Sequence, residues 1–341
     1  MTLNQPAEWE KHQAVWLAWP SHENLWGDTL IPVQKEFSAL CRAICDFDSN
    51  SNRFMGEPIH LLVPHEKAKS EAQRSLEGLP ITYHLIPFGD IWLRDTAPIF
   101  LRDQNEEISA HCFKFNGWGE KYILPFDGEV SQQIAKNSLL KTVNKNWILE
   151  GGSVETDGLG TCITTKQCLL NPNRNPNLTL EQIEKKLKSD LGFKKILWLQ
   201  DGLLNDHTDG HIDTLVRFID HKKVICMHSH GTNDPNHEAL TQIINDLKRF
   251  KDANESPLEI TEIPNPGTVL NSENEIMPAS YVNFYISNSK VIVPTYGTKY
   301  DQQAVSMISK CFPTHDTVGL SAISLLEGGG SFHCITQQVP L

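Results

Sequence analysis

The sequence predicts an α/β fold assembled from about five similar units. Three observations predict it. Amphipathic helical stretches alternate singly with short runs rich in β-branched residues, the pattern of α/β or α+β chains. Leu149-Glu150-Gly151-Gly152-Ser153 resembles Leu326-Glu327-Gly328-Gly329-Gly330-Ser331, which hints at internal repetition. Five conspicuous polar residues, Asp95, Glu150, His211, Asn283 and Cys334, follow one another roughly 50–70 residues apart, as though each unit offered one group to a shared centre. Repeats of that length belong to propellers or solenoids. No linker or low-complexity segment divides the 341 residues, so 1–341 reads as a single domain.

The elements follow in chain order. Val33, Phe37, Leu40, Ile44 and Phe47 recur at helical spacing after Pro32, and predict a helix over 33–47. Ile59–Val63 reads as a strand, 66–77 as a helix, Ile99–Leu101 as a strand, 129–140 as a helix and Gly160–Thr164 as a strand. Thr179 with Gln182 forms a capping-box pattern before Ile183, Leu187 and Leu191, and Gly192 stops the helix over 179–191. Thr214–Phe218 and Val224–Met227 read as strands. Leu240, Ile243, Ile244, Leu247 and Phe250 mark a helix over 235–250, Lys290–Val293 a strand, and Ala304, Val305, Ile308 and Phe312 a helix over 301–312. Pro- and Asn-rich loops occupy 171–177 and 265–278.

Composition narrows the function. Hydrophobic residues make up 39%, enough for a core, yet no apolar run approaches the roughly 18 residues of a spanning helix. The first ten residues show neither a basic n-region nor an apolar h-region, so a cytoplasmic protein is expected. A net charge of −12 disfavours nucleic-acid binding and suits attraction of small cations, although it also serves simple solubility. The eight cysteines form no Cys-x-x-Cys pair and are expected to be reduced and mostly buried.

Cys334 is the candidate nucleophile. The three preceding glycines would pack nothing in a core strand, and suit a backbone that passes close to a ligand and presents a thiol. A thiol with a pKa of about 8.5 needs a nearby cation to ionise at neutral pH. In His211-Ile212-Asp213 the outer two side chains share a face if the segment is extended, which places an acid–base imidazole and a carboxylate in one pocket. The spacing His207-x-x-x-His211-x-Asp213 is also metal-like, but i,i+4 ligation needs a helix, and Gly210 argues against one. Asp95 and Asp213 together match the forked donors of a guanidinium, although spacing alone favours an ion pair of Asp95 with Arg94 or another base. Glu150 either orients His211 or is a turn residue beside Gly151. Trp92 either stacks on a cation or belongs to the core.

With these residues assembled, the chain resembles the agmatine deiminases, relatives of bacterial-type peptidylarginine deiminases within the guanidino-group-modifying (pentein) superfamily. The resemblance runs nearly end to end. It is carried by Pro6–Glu10, Val15–Pro20, Trp92-Leu93-Arg94-Asp95-Thr96-Ala97-Pro98, Phe115–Gly119, Leu149–Ser153, Asp209–Asp213, Ala279–Phe284 and Gly328–Thr336. It implies a five-bladed α/β propeller with pseudo-fivefold symmetry and a central site that needs no metal or organic cofactor. It also implies roles: Cys334 as nucleophile, His211 as acid and base, Asp95 and Asp213 as guanidinium ligands, Glu150 as partner of the histidine, and Trp92 and Asn283 as pocket lining. The implied reaction turns agmatine into N-carbamoylputrescine and ammonia through an amidino-cysteine. Ala97, Thr214 and His207 depart from the family pattern, and His207 bears on which guanidino substrate is taken.

The competing expectations are a deiminase of free or peptidyl arginine, a metallohydrolase using His207, His211 and Asp213, and a non-catalytic polyamine-binding protein. Arginine substrates bring a carboxylate that wants a basic partner, and no Arg occurs from Asp103 to Asn173. A small cationic guanidino compound is the expected partner, with no nucleic acid and no membrane. A homodimer is expected only because dimers are the commonest closed assembly.

Overall fold

A ββαβ unit recurs along the chain in the computed structural model, which describes residues 3–341. In the clearest instance Val216–Asp220 pairs antiparallel with Lys223–His228, the chain crosses through the helix His237–Leu247, and Glu259–Pro264 returns parallel to the second strand. The same order recurs in Ile99–Arg102, Ile108–Lys114, helix Asp127–Asn137 and Lys141–Ile148. It recurs again in Glu155–Thr156, Thr161–Thr165, helix Leu180–Leu191 and Lys195–Leu199. Tyr285–Ile286, Lys290–Thr295, helix Asp301–Cys311 and Asp316–Ser321 follow it once more.

A further sheet joins the two ends of the chain. Gln337–Pro340 pairs antiparallel with His12–Ala18, which runs parallel to Ile59–Val63 after the helix Leu30–Cys45. The helix Glu66–Ser75 then leads to a fourth strand, Ile81–Leu85. Among the described residues these five sheets stay separate, and a two-stranded hairpin, Phe47–Asp48 with Arg53–Phe54, stands beside them. The fold is mixed α/β, as expected.

Each crossover helix buries one stripe. Ile183, Leu187 and Leu191 are fully buried against Cys162 and Ile196 of the neighbouring sheet. Each such side chain contributes about 1.5–3 kcal/mol. Both halves of the Thr179/Gln182 capping box form, and Gly192 ends the helix at φ 80°. The helix expected over 33–47 starts earlier, at Leu30, and takes Pro32 into its first turn, where the missing N–H is no loss. It stops at Cys45 because Asp46 turns left-handed.

One expectation fails. Thr214 does not begin a strand: Ile212–Thr214 is a 3-10 turn and the strand starts at Val216. His211 and Asp213 therefore do not share a strand face.

The repeat fixes where the polar residues stand. Asp95, Glu150, His211, Asn283 and Cys334 each lie two to five residues before the first strand of a unit, which begins at Ile99, Glu155, Val216, Tyr285 and Gln337 respectively. Equivalent positions in successive units thus feed one place. No helix is long and apolar enough to cross a membrane.

Candidate active site

Three of these carriers are short helical turns. Asp95 lies in the helix Leu93–Thr96, Glu150 precedes the 3-10 turn Gly151–Ser153, and His211 precedes the turn Ile212–Thr214. They meet around Gly152. A Cβ there would stand 2.6 Å from His211 Nδ1, 3.0 Å from Asp95 Oδ1 and 3.1 Å from Asp213 Oδ2. Only glycine leaves room for three functional side chains to converge. Its N–H also donates to Asp95 Oδ1 at 3.0 Å.

Cys334 is 7% exposed. Its Sγ lies 3.2 Å from Asn283 Nδ2, 3.4 Å from Asn283 Oδ1 and 3.7 Å from Asp213 Oδ2. Burial pushes the thiol well above its ordinary pKa, and the Asp213 and Asp95 carboxylates push it further. Asp95 Oδ2 accepts from Trp118 Nε1 at 2.8 Å. Arg94 does not pair with Asp95. It reaches Glu8 at 3.5 Å and the backbone carbonyl of His333 at 3.3 Å instead.

His211 is almost wholly buried, with Nδ1 3.7 Å from Asp95 Oδ1 and Nε2 4.0 Å from Glu150 Oε2. Burial alone would favour neutral imidazole. Asp95, Cys168 and Glu150 together outweigh it, so His211 is held protonated well above its ordinary range. Burial pushes Asp95 upward in turn. We hold to the cationic histidine, because two donated N–H bonds favour the ionised form of Asp95. Neither ring nitrogen makes a hydrogen bond, which leaves both free for proton transfer.

The expected Glu150–His211 hydrogen bond is not made. Glu150 Oε1 instead accepts from Arg174 Nε at 2.9 Å, with both side chains wholly buried. Arg174 is held in turn by Asp209 and by the carbonyl of Thr208. Glu150 therefore acts on His211 through its charge.

Beneath the thiol lies a network to which the sequence reading gave no role. His333 Nδ1 is 2.7 Å from Asp213 Oδ2, and its Nε2 is 2.8 Å from Glu8 Oε2. Glu8 also pairs with Arg217 at 2.9 Å. Burial would raise the Asp213 carboxyl, but His333 first, then His211 and Arg217, hold it below its ordinary range.

A cavity of 390 Å³ ends at Asp95 and Cys334. Trp26, Trp92 and Trp118 form much of its wall, with Asp90 and Glu327 as further acids and His207 and Tyr122 among the remaining residues. Asp90 accepts from both Trp26 Nε1 at 3.1 Å and Trp92 Nε1 at 2.8 Å, and so sets the two indoles. The triple glycine is explained here by tryptophan as well as by ligand. Cβ atoms at Gly328 and Gly330 would stand 2.4 Å from Trp26 and 2.5 Å from Trp92. His207 Nδ1 is 2.9 Å from Tyr122 Oη and its ring stacks on that tyrosine. It does not join His211 and Asp213 in a ligand set: the acid and thiol groups that gather at His211 are Glu150 and Cys168.

Sequence reading thus singled out the five central residues, Asp213 and Trp92, and gave no role to Glu8, Trp118, Cys168, Arg174, Arg217 and His333. Glu8, Trp118 and His333 lie inside the resemblance motifs, so their signal was present without a role attached. Arg174 follows the Arg-free stretch, and nothing in its spacing marks it.

Residues 4–340 match the Porphyromonas-type peptidyl-arginine deiminase family. The agmatine deiminase of Stutzerimonas stutzeri is 35% identical over 98% of this chain and 95% of its own. The solved agmatine deiminase of Enterococcus faecalis superposes with a TM-score of 0.92 at 32% identity, covering 99% of this chain and 96% of that one. A C. jejuni agmatine deiminase with substrate bound gives 0.88 at 29% identity, over 99% and 96%. A dimethylarginine dimethylaminohydrolase, at 0.54 and 11% identity over 96% and 99%, shares the fold alone. The chain belongs to the Porphyromonas-type peptidyl-arginine deiminase family.

Proposed function

We propose that the protein hydrolyses agmatine to N-carbamoylputrescine and ammonia, a step that supplies polyamine biosynthesis. The observation that carries this reading is a buried thiol between two carboxylates at the end of a cavity whose lining includes acids and tryptophans but no Lys or Arg. A guanidinium satisfies Asp95 and Asp213. The α-carboxylate of free arginine would find no basic partner along that wall, whereas agmatine carries a second cation that suits Asp90 and Glu327.

The chemistry follows from the geometry. The guanidinium charge offsets the two carboxylates and lets Cys334 ionise. The thiolate adds to the central guanidino carbon, His211 passes its proton to the departing nitrogen, the C–N bond breaks and ammonia leaves. Neutral His211 then takes a proton from water, whose oxygen adds to the amidino carbon. As the C=O forms, the C–S bond breaks and the hydroxyl proton passes to solvent, leaving N-carbamoylputrescine, the thiolate and a reprotonated His211. Glu150 supports the imidazolium, Asn283 sets the thiol, and Trp92 walls the tail of the substrate. We read the five sheets as the blades of a propeller with the site on its pseudo-fivefold axis. Support for this comes from the ββαβ repeat and from the equivalent placement of the five polar residues.

Incubation with agmatine, free arginine and a C-terminal-arginine peptide tests the reading through ammonia and carbamoyl product. Turnover confined to agmatine is expected. Equal turnover of the peptide would reassign the enzyme to peptidylarginine, and none of the three would remove the activity altogether.

A further inference from the structure

Beside His211 lies Cys168, a buried thiol for which the reaction above has no use. Cys168, Glu150 and His211 each offer one ligand atom, and the three atoms lie within 4.8 Å of one another. All three residues are wholly or almost wholly buried. Glu150 Oε2 and both nitrogens of His211 have no hydrogen-bond partner. Buried polar atoms are normally satisfied, and these atoms keep lone pairs that a cation can take up. The donors are one thiol, one imidazole and one carboxylate, a mixed S/N/O set that a borderline-soft cation takes at about 2.0–2.3 Å per bond. Ligands bound tetrahedrally at such lengths stand about 3.3–3.7 Å apart. The His211–Glu150 separation of 4.0 Å needs only a small inward rotation to meet this.

We propose that Glu150, Cys168 and His211 form a binding site for zinc or a similar borderline-soft divalent cation, and that its occupation reversibly switches off the enzyme. The surroundings support the ligands. Arg174 fixes Glu150 through Oε1 and leaves Oε2 to the ion, while Asp95 stands 3.7 Å from His211 Nδ1, as carboxylates do behind metal-bound histidines. The 390 Å³ cavity is lined by Asp95, whose carboxylate stands 3.7 Å from His211 Nδ1. Binding displaces the His211 proton and the Cys168 proton, and therefore tightens as pH rises. A bound ion removes the proton donor from the reaction and places positive charge where the imidazolium stood. Metal binding itself is independent of the deiminase reading, which enters only through the loss of turnover.

Cobalt(II) is the probe, because a cobalt–thiolate bond shows a near-ultraviolet charge-transfer absorption. The full chain carrying Cys334→Ser, which removes the other thiol of the site, is titrated with cobalt and then with zinc. The expected result is one equivalent of charge-transfer absorption, bleached by zinc and lost when Cys168→Ser is added. Glu150→Gln in the same background should weaken binding by at least about tenfold, and it decides the matter if the Cys168 variant does not fold. In the unmodified chain, zinc should stop turnover and a chelator should restore it. The proposal is overturned if Cys334→Ser shows no such absorption, or if the absorption survives loss of Cys168. Because the titration is done on a chain without the nucleophile, its failure is separate from any failure of the agmatine assay.

Discussion

His333 Nδ1 lies 2.7 Å from Oδ2 of Asp213, so one oxygen of the carboxylate nearest the thiol is occupied before any substrate arrives. The other oxygen, Oδ1, is buried without a partner. His333 is anchored from behind by Glu8, which Arg217 holds in turn. Both ring nitrogens of His333 face carboxylate oxygens, which fixes the ring between Asp213 and Glu8. The chain beside the nucleophile thus presents a fixed Asp213 with one oxygen reserved for a guanidinium.

His333→Ala should therefore act on binding and on stability together. Removing one hydrogen-bond partner of a buried carboxylate costs about 1.5–3 kcal/mol. Urea unfolding should show a loss of that order, and KM for agmatine should rise more than kcat falls. His333→Gln, which can still donate one hydrogen bond, should lie between. An alanine variant with unchanged KM and stability would mean that Asp213 is placed by something else.

The thiol itself should be sluggish in the empty site. Burial first, then Asp213 and Asp95, push Cys334 well above its ordinary pKa. Alkylation by iodoacetamide without substrate should show a limb above the usual cysteine value of about 8.5. Asp213→Asn removes a negative charge that opposes the thiolate, so that limb should move to lower pH. A limb at or below the usual value, unmoved by the substitution, would show a thiol already ionised in the free enzyme.

Glu150 and Arg174 should prove interdependent. Each is wholly buried, and the pair is joined at 2.9 Å. Arg174→Met strands the carboxylate, and the expected loss is about 3–5 kcal/mol. Burying two neutral side chains is far less costly than burying one unpaired charge. The double variant Arg174→Met with Glu150→Gln should therefore recover much of the stability without recovering turnover. A double-mutant cycle in urea measures it, and additive losses would refute the coupling.

The centre was legible in the sequence because a repeat marks it. Residues that occupy equivalent positions in successive units recur at similar spacing, so Asp95, Glu150, His211, Asn283 and Cys334 could be read together before any geometry was known. The capping box at Thr179 was legible for a different reason, since its signal is local and complete within four residues. The 3-10 turn at Ile212–Thr214 was not legible: its residues have strand-like composition, and tertiary packing overrode that preference. Arg174 and Glu8 were invisible as partners for a third reason. The pairing of Glu8 with Arg217 joins the N-terminal segment to a distant unit, and Arg174 reaches Glu150 from an irregular loop, so no periodicity within one segment encodes either contact.

Asp127 gives a pH test away from the chemistry. It opens the helix Asp127–Asn137, and its Oδ1 accepts from Gly89 N at 2.7 Å and Asp90 N at 3.3 Å, while buried Oδ2 has no partner. Burial first, with Asp90 adding to it, pushes the carboxyl up to about 7, against the pull of those two donors. An unfolded aspartate titrates near 3.9, so between these values the native state binds a proton that the unfolded chain does not. The stability contributed by this group is present in full below about pH 4 and is lost as pH rises through about 7. The change is at most about 1.4 kcal/mol per pH unit over that window. Asp127→Asn keeps an oxygen for the Gly89 N–H and carries no charge at any pH. The variant should gain stability relative to the parent between pH 5 and pH 8, whatever offset it shows at pH 5. Urea midpoints at the two pH values measure the difference. Because other carboxylates are common to both proteins, their slopes cancel. An offset that is the same at pH 5 and pH 8 would mean that Asp127 stays ionised throughout.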